Sequence, residues 1–153
     1  MSDTVIVDTS ALIALEKIDL LDILCKIYSE IILPQAVINE FGTPSLQCYT
    51  IREIKSPLVK LLVSELNVGS GEAEVIALAS ETGIKTIIDD MKARQIAEKL
   101  GVKVTGTIGV LLKAENSGLI NNAYDKAREL RDKGFYVSDE LLDKLFKLRK
   151  FKE

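Results

Sequence analysis

Length, composition and charge indicate one folded domain and exclude several kinds of catalysis. The chain has 153 residues, 47% of them hydrophobic and 28% charged, which is enough for a core that needs no staple to fold. The formal charge of −3 argues against broad electrostatic binding of nucleic acid, but it is compatible with a nuclease whose acids are neutralised by divalent metal. Because the chain has no histidine, Ser-His-Asp and Cys-His catalysis and the usual histidine-bearing zinc sites are excluded.

The cysteines and the hydropathy pattern favour a cytoplasmic protein. Cys25 and Cys48 are isolated, have no CxxC spacing and lie in stretches with helical patterns, so we expect two reduced core thiols and no disulfide. The N-terminus shows no basic segment leading into an apolar run, and no apolar stretch reaches the ~20 residues that a membrane helix requires. We therefore expect no signal peptide, no membrane association and a reducing compartment.

Strand-like and helix-like patterns alternate in the first half of the chain. In order, we predict a strand at 4–7, a helix over 10–18, a helix at about 20–28, a strand at 30–33, a helix over 34–41, a helix at 45–55 and a strand at 59–63. Pro34 is expected in the first turn of its helix, where a missing N–H does no harm.

The second half continues the alternation and then becomes helical. We predict a helix over 71–82, a strand at 85–88, a helix over 91–100, a strand at 102–104 and three helices at about 107–117, 119–132 and 139–149. Ser138 is expected to be the N-cap of the last helix. Strands that alternate with helices through short turns predict an α/β fold, a three-layer α/β/α sandwich with a central, mainly parallel sheet. We expect a single domain over 1–153, with a core at about 4–105 and a helical C-terminal extension at about 106–153.

Acidic residues are expected to gather at one edge of this sheet. Asp8 follows the first strand and the pair Asp89 and Asp90 follows a later one, and working sites in such sheets lie beyond the carboxyl ends of the strands. Glu72 lies in the first turn of a helix that starts at the same edge. Glu40 lies late in the helix after the second strand.

Crowded carboxylates of this kind point to a bound cation. Their repulsion should raise at least one pKa unless a cation lies between them. Mg²⁺ suits such a set, because it takes oxygen ligands and keeps several waters. One ion would orient water and polarise a phosphodiester, and two would also stabilise the leaving oxygen. The acids therefore predict metal-dependent hydrolysis that needs no histidine.

Each acid also has a purely structural explanation. Asp8 and Asp90 fit the N-cap positions of the helices that follow them. Glu72 and Glu74 are first-turn acids of the kind that a helix dipole favours, and Glu40 alone would be an ordinary solvated helix residue. A single acid is therefore weak support for a site, whereas four at one edge of a histidine-free chain are stronger support.

Four stretches resemble the motifs of the PIN-domain family. The residues that carry this resemblance are VIVDTSALIAL (5–15), VINEF (37–41), GEAEVIALA (71–79) and IIDDMKAR (87–94). The resemblance implies the metal ligands Asp8, Glu40, Glu72 and Asp90, with Asp89 as the alternative to Asp90. It also implies that Ser10 and Glu74 lie near these ligands. The third acid is glutamate here, whereas aspartate is usual in the best-known toxin members.

The later segments VTGTIGVLLKAENSGLI (104–120) and GFYVSDELLDKL (134–145) resemble a prokaryotic PIN subgroup known as a domain of unknown function. The resemblance implies a Mg²⁺- or Mn²⁺-dependent RNA endonuclease, often the VapC-like toxin of a toxin–antitoxin pair and often a homodimer. Lys92, Arg94 and Lys103 are candidates for phosphate contacts, because they are expected near the acids.

Nucleotide binding, and binding of RNA or protein without cleavage, are the alternative functions. A Rossmann-type binder or a P-loop protein would need a glycine-rich turn after the first strand, and Asp8-Thr9-Ser10 stands there instead. A PIN-like scaffold that binds RNA or a protein partner without cutting is the main alternative. Its partner surface would be the apolar faces at 20–27 and 46–54, which we expect to be core instead.

Overall fold

The computed structural model describes the backbone of residues 3–152 and the side chains of residues 3–149. The expected domain over 1–153 therefore includes residues 1, 2 and 153, which lie outside the described residues. The strands of the described part are β1 (Thr4–Val7), β2 (Glu30–Pro34), β3 (Tyr49–Arg52), β4 (Lys85–Ile87) and β5 (Val104–Thr105). Its helices are α1 (Thr9–Lys17), α2 (Ile23–Ile27), α3 (Gln35–Phe41), α4 (Pro57–Leu66), α5 (Ser70–Thr82), α6 (Met91–Lys99), α7 (Thr107–Asn116), α8 (Ala123–Asp132) and α9 (Asp139–Lys152).

The strands form one parallel sheet in the order β3-β2-β1-β4-β5. Strand β1 is central, and Val5, Ile6 and Val7 are fully buried, because helices cover both faces of a sheet of this kind. The predicted α/β/α sandwich with a parallel sheet is therefore confirmed.

The order of the strands reverses beside β1, and this reversal positions the site. The chain runs outward from β1 through β2 to β3 and then returns to place β4 on the other side of β1. In open α/β sheets a crevice forms beyond the carboxyl ends of the strands at such a switch point. Asp8 ends β1 and Asp89 closely follows β4, and the backbone N–H of Asp8 donates to the carbonyl of Ile87 over 3.1 Å. The two acidic strand ends are thus neighbours.

Two predicted elements between 45 and 63 are wrong. The segment expected to be a helix at 45–55 contains strand β3, which pairs in parallel with β2 at the edge of the sheet. The segment expected to be a strand at 59–63 lies in helix α4. The hydroxyl of Ser56 accepts from the backbone N–H of Leu58 over 3.2 Å and Pro57 occupies the first turn, so local capping chemistry starts this helix.

The prediction of two free thiols is also wrong. Cys25 of α2 and Cys48, directly before β3, form a disulfide across 23 residues of sequence, with their Cα atoms 5.7 Å apart. Cys25 lies in a helix as its pattern predicted, whereas Cys48 lies outside any helix. The argument for a reducing compartment from unpaired cysteines therefore no longer holds.

The C-terminal helices pack onto one another and reach back to the sheet layer. The rings of Tyr124 on α8 and Phe146 on α9 meet edge to face at 5.2 Å. Ser138 caps α9 as predicted, since its hydroxyl accepts from the N–H of Leu141 over 3.1 Å. The Lys133 ammonium donates to the carbonyl of Lys17 at the end of α1 over 2.8 Å. Smaller shifts from the predicted bounds include Pro34, which precedes α3 as its N-cap residue.

None of the helices described here combines the length and apolar character that crossing a bilayer demands. The apolar stretches at 20–27 and 46–54, considered as partner surfaces, are instead used for packing. Ile23 and Leu24 are buried, and Leu20, Leu46 and Ile54 are partly buried against the core.

Candidate active site

The carboxyl group of Asp8 lies at the centre of the acidic edge, which we define as the end of the sheet that carries Asp8, Glu40, Glu72, Asp89 and Asp90. Asp8 is 2% exposed and is the N-cap residue of α1. One carboxylate oxygen accepts from the backbone N–H of Thr9 over 2.8 Å. The capping explanation is therefore correct for Asp8, and it does not conflict with a role in the site.

The pKa of Asp8 is raised from its ordinary 3.8 to about 7, chiefly by burial and then by the negative charges of Glu72, Glu40 and Asp89, although the hydrogen bond from Thr9 lowers it. A carboxyl group that holds its proton to neutral pH lacks a positive partner in its surroundings. The expected rise of at least one pKa in this cluster is thus present at the most buried acid.

Glu72 is the neighbour that raises the pKa of Asp8 most. It lies in the first turn of α5 and is half-buried. Desolvation raises the pKa of its own carboxyl group, and the charges of Asp90 and Glu40 add to this, whereas a backbone hydrogen bond at Gly69 and the Lys92 ammonium lower it. Glu72 therefore disfavours the charged form of Asp8, and Asp90 and Glu40 disfavour the charged form of Glu72.

Glu40 reaches the acidic edge because a glycine leaves room for it. Its Oε1 accepts from the hydroxyl of Thr9 over 3.1 Å, where the end of α3 meets the start of α1. A Cβ added to Gly71 would collide with this same carboxylate oxygen and would lie 3.4 Å from the Thr9 hydroxyl. The absence of a side chain at Gly71 thus allows three helix ends to converge beside Asp8.

The two acids after β4 have different surroundings. Asp89 accepts from both the backbone N–H and the hydroxyl of Thr107, at 2.7 Å and 2.6 Å, so both of its oxygens hold the start of α7. Asp90 is the N-cap residue of α6, where one oxygen accepts from the N–H of Ala93 over 2.9 Å. Asp90 is also the acid whose charge acts most strongly on Glu72.

Ser10 supplies a hydroxyl without a partner. Its Oγ is buried and has no hydrogen-bond partner in the described structure. A small cavity of about 230 Å³ is lined by Ser10 together with Asp8, Thr9, Ile13, Glu40, Gly69, Gly71 and Glu72. An unsatisfied buried hydroxyl is costly, and here it stands in the same cavity as three of the acids.

The structure places Glu74 in another environment. Its Oε1 accepts from the backbone N–H of Ala36 over 3.0 Å and so satisfies a free donor at the start of α3. Glu74 is absent both from the residues that line the small cavity and from the charges that act on Asp8 and Glu72. Its carboxylate has a structural task outside the acidic edge.

The three candidate cations are not equivalent. Lys92 lies close enough to Glu72 to lower its pKa, and its ammonium donates to the carbonyl of Asn67 over 3.5 Å. Arg94 donates to the carbonyl of Ile88 over 3.3 Å. Lys103 precedes β5 and therefore lies toward the opposite end of that strand from the acids. Only Lys92 is tied to the acidic edge by its electrostatic effect on an acid there.

The donor chemistry of the acidic edge fits a hard divalent cation. Its side chains offer anionic and hydroxyl oxygens, the ligands that Mg²⁺ and Mn²⁺ prefer, and the raised pKa of Asp8 would be relieved by a nearby positive charge. Among residues 3–152, no three acidic or cysteine side chains are gathered closely enough to hold one ion as they stand. A cation here would have to draw the mutually repelling carboxylates inward.

Sequence patterns did not reveal several residues of this edge. Thr9 and Thr107 hold Glu40 and Asp89, and Gly71 makes room for Glu40. The rule that parallel strands end at one edge could have indicated Thr107, because it closely follows β5. Nothing local marks Gly71, since its role depends on the approach of α3.

No curated protein matches the chain at a significant level. A family model described as "DUF3368: PIN domain" matches residues 4–152, which is nearly the whole chain. PIN domains are generally nucleases that act on nucleic acid, and they typically use divalent metals. With its parallel sheet and its acids at the strand ends, this chain belongs to the PIN-domain family.

Proposed function

We propose that this PIN domain is a metal-dependent endoribonuclease whose working acids are Asp8, Glu40, Glu72 and Asp90. The observation that carries the proposal is the burial of Asp8, with a pKa of about 7, against the carboxylate of Glu72. A fold gains nothing by burying two repelling acids, whereas a divalent cation would convert this repulsion into binding energy. Perturbed acids in a cleft are characteristic of functional sites.

The reaction is hydrolysis of a phosphodiester, in which the oxygen of water bonds to phosphorus and one ester P–O bond breaks. A bound Mg²⁺ or Mn²⁺ would polarise the phosphate and lower the pKa of the attacking water. The protein contributes the position of the acids. Asp8 is fixed by Thr9 and by the pairing of β1 with β4, and Glu40 is fixed by the Thr9 hydroxyl.

Between the two acids after β4, we favour Asp90 as the ligand. Both carboxylate oxygens of Asp89 accept hydrogen bonds from Thr107, whereas only one oxygen of Asp90 accepts from Ala93. Asp90 also interacts electrostatically with Glu72 more strongly than any other charged group does. Asp89 then has a structural role, because it joins the end of β4 to the start of α7. Ser10, with its unpartnered hydroxyl, is the candidate for orienting water or phosphate.

The finer biological role rests on the family resemblance. We propose a VapC-like toxin that acts in the cytoplasm, pairs with an antitoxin protein and forms a homodimer. Exposed apolar side chains on α4, namely Leu61, Val63 and Leu66, are compatible with a protein partner, since large exposed apolar groups often mark such contacts. Light scattering of the purified chain would test the dimer, and a monomer at micromolar concentration would contradict it.

The first experiment is cleavage of a mixed pool of structured RNAs by the purified protein with Mn²⁺, with Mg²⁺ and with EDTA. We expect metal-dependent cutting that is lost in Asp8→Asn, because asparagine lacks the anionic oxygen that a cation requires. Asp132→Asn is the matched control, since Asp132 is an exposed acid at the end of α8. Undiminished cutting by a folded Asp8→Asn protein would contradict the proposal. No cutting by the wild-type protein would favour an RNA- or protein-binding scaffold.

A further inference from the structure

A second and larger cavity, which we call the cleft, opens beside the acidic edge. Its volume is about 540 Å³, within the range of small-molecule sites. Ser10 and Glu72 line both the cleft and the small cavity, so the two spaces share a wall. The other residues of the cleft are Ala14, Asp89, Asp90, Met91, Thr107, Ile108, Leu130, Phe135, Tyr136 and Val137. The wall of the cleft therefore combines acidic side chains with a larger number of apolar ones.

The two most exposed large apolar side chains of the described residues both line this cleft. Tyr136 is 92% exposed and Met91 is 65% exposed. Met91 begins α6, whereas Tyr136 lies between α8 and α9, so two separate parts of the fold bring them to one cavity. A single exposed apolar side chain needs no explanation, but two at a cavity that adjoins the acids indicate a ligand with an apolar face.

The loop that carries Tyr136 is fixed to the body of the protein. The ammonium of Lys133 is bound to the carbonyl of Lys17, and the Lys17 ammonium lies 5.8 Å from the centre of the Phe135 ring. Val137 is 7% exposed and Ser138 caps α9. Tyr136 is thus an exposed ring on an anchored loop, so stacking on it requires little ordering of the protein.

Charge alone does not explain how nucleic acid would bind here. The edge is acidic, and its cations are engaged: Lys92 with Asn67 and Glu72, and Arg94 with the carbonyl of Ile88. Phosphates are therefore attracted weakly unless metal is present. Stacking of a base on an aromatic ring does not depend on phosphate charge, and it is available only to bases that are not stacked within a duplex.

We propose that the cleft binds an unpaired nucleobase of the RNA substrate, with Tyr136 as the stacking platform and Met91 on the rim, next to the phosphate held at the acidic edge. This inference rests on the proposed function for the identity of the substrate and adds the residues that would hold one of its bases. The shared wall at Ser10 and Glu72 places base and phosphate in adjoining spaces, as neighbouring parts of one nucleotide require.

Binding can be measured without cleavage. The probe is a fluorescein-labelled 12-nucleotide RNA pool of random sequence, titrated with the wild-type protein in Ca²⁺, a hard cation with a looser coordination geometry than Mg²⁺ that is chosen to fill the site without cleavage, and followed by anisotropy. Under these conditions, Tyr136→Ala should weaken binding about ten-fold, because one stacked base is lost. Tyr136→Phe keeps the ring and should bind within about two-fold of the parent. Leu61→Ala is the matched control, since Leu61 is also an exposed apolar residue but lies on α4, outside the cleft.

Two further probes separate base from backbone. An abasic oligonucleotide of the same length should bind weakly and equally to the parent and to Tyr136→Ala, because it offers no ring to stack. The pool annealed to complementary strands should also bind weakly. Equal binding of Tyr136→Ala and the parent to the single-stranded pool, or duplex binding as tight as single-strand binding, would overturn the inference. Absence of any binding by the parent would overturn it as well.

Cleavage kinetics distinguish this inference from the proposed nuclease. In the wild-type background, Tyr136→Ala should raise KM about ten-fold and leave kcat nearly unchanged, since Tyr136 holds the base rather than the reacting phosphate. Cleavage with an unchanged KM would overturn the base-binding cleft and leave the nuclease standing. Tyr136-dependent binding of single strands by a protein that never cuts would support the cleft and contradict the nuclease.

Discussion

Two pairs of carboxylates lie at the same edge of the sheet but differ in burial and in hydrogen bonding. Asp89 and Asp90 are exposed and accept hydrogen bonds from α7 and α6, which use both oxygens of Asp89 and one oxygen of Asp90. Asp8 is buried and Glu72 half-buried, and burial together with neighbouring negative charges raises the pKa of both. The first pair stabilises helix starts, whereas the second destabilises the metal-free protein.

Burial and hydrogen-bond partners distinguish a structural acid from a catalytic one better than its position at the edge of the sheet does. All four residues lie where the strand rule places them, so the rule alone cannot rank them. Asp89 has a sufficient structural reason to be there, because both of its oxygens accept from Thr107, whereas Asp90 accepts one hydrogen bond from Ala93 and also raises the pKa of Glu72. Asp8 and Glu72 lack such a reason, because a single backbone hydrogen bond to each does not outweigh desolvation. An unrelieved electrostatic cost of this kind is expected where a cation or a substrate supplies the missing interaction.

The largest expected effect is on stability without metal. Because folding raises the pKa of Asp8 from 3.8 to about 7, the unfolded chain ionises first as pH rises. Asp8 therefore destabilises the fold progressively between these pKa values, and the full penalty above pH ~7 is about 4 kcal/mol. Asp8→Asn removes it, so the variant should be the more stable protein in EDTA near pH ~8, with an advantage that shrinks toward pH ~4.

Urea unfolding with EDTA at several pH values measures this difference. Asp132→Asn, an exposed replacement of the same kind, should leave the pH dependence of the unfolding free energy unchanged. Added Mn²⁺ should stabilise the wild-type protein and not Asp8→Asn, because only the aspartate offers an anionic oxygen. A constant difference between wild type and Asp8→Asn across the pH range would mean that Asp8 is not held at an electrostatic cost.

The next effect compares two glutamates on one helix. Glu72→Gln should lower metal-dependent cleavage about 100-fold, because it removes a charge from the acidic edge. Glu74→Gln should lower it only a few-fold, since the amide oxygen can still accept from Ala36 at the start of α3. Single-turnover cleavage of one RNA by both variants is the measurement. A larger loss for Glu74→Gln would show that the wrong face of α5 has been assigned to the site.

A smaller effect tests the structural role of Asp89. Thr107→Val removes the hydroxyl that donates to Asp89 over 2.6 Å and should reduce the unfolding free energy by about 1 kcal/mol. Thr107→Ser retains the hydroxyl and should behave nearly as wild type. Cleavage should change little in both, because the backbone N–H of residue 107 still holds Asp89. Loss of cleavage in Thr107→Val at unchanged stability would instead assign Asp89 to the working pair.

The positions of the acids that follow strands could be predicted from the sequence. Asp8 and Asp90 were predicted because parallel strands place their carboxyl ends together, and the fold class followed from the same alternation. The different surroundings of Glu72 and Glu74 were partly predictable too. Residues two apart on a helix point about 200° away from each other, so both cannot face one site.

Other features depend on contacts between distant segments and left no local signal. Strand β3 is short and lies at the edge of the sheet, so its pairing with β2, rather than its own pattern, makes it a strand. The disulfide joins Cys25 and Cys48 only because α2 and the start of β3 come together in the fold. The satisfaction of Asp89 by Thr107 depends likewise on where α7 begins.

The smallest expected effect concerns the room that Gly71 leaves for Glu40. Gly71→Ala would place a methyl group against Oε1 of Glu40, the far end of a flexible side chain that can move aside. Stability should therefore change by less than about 1 kcal/mol, since alanine also favours the helix. The displaced carboxylate would lose the Thr9 hydroxyl, so cleavage should fall about three-fold and the metal concentration for half-maximal activity should rise. Gly83→Ala, at the far end of α5 with a φ of 77°, is the control: it should lower stability and leave the metal dependence unchanged. Unchanged metal dependence in Gly71→Ala would place Glu40 with Asp89, among the acids that serve the fold.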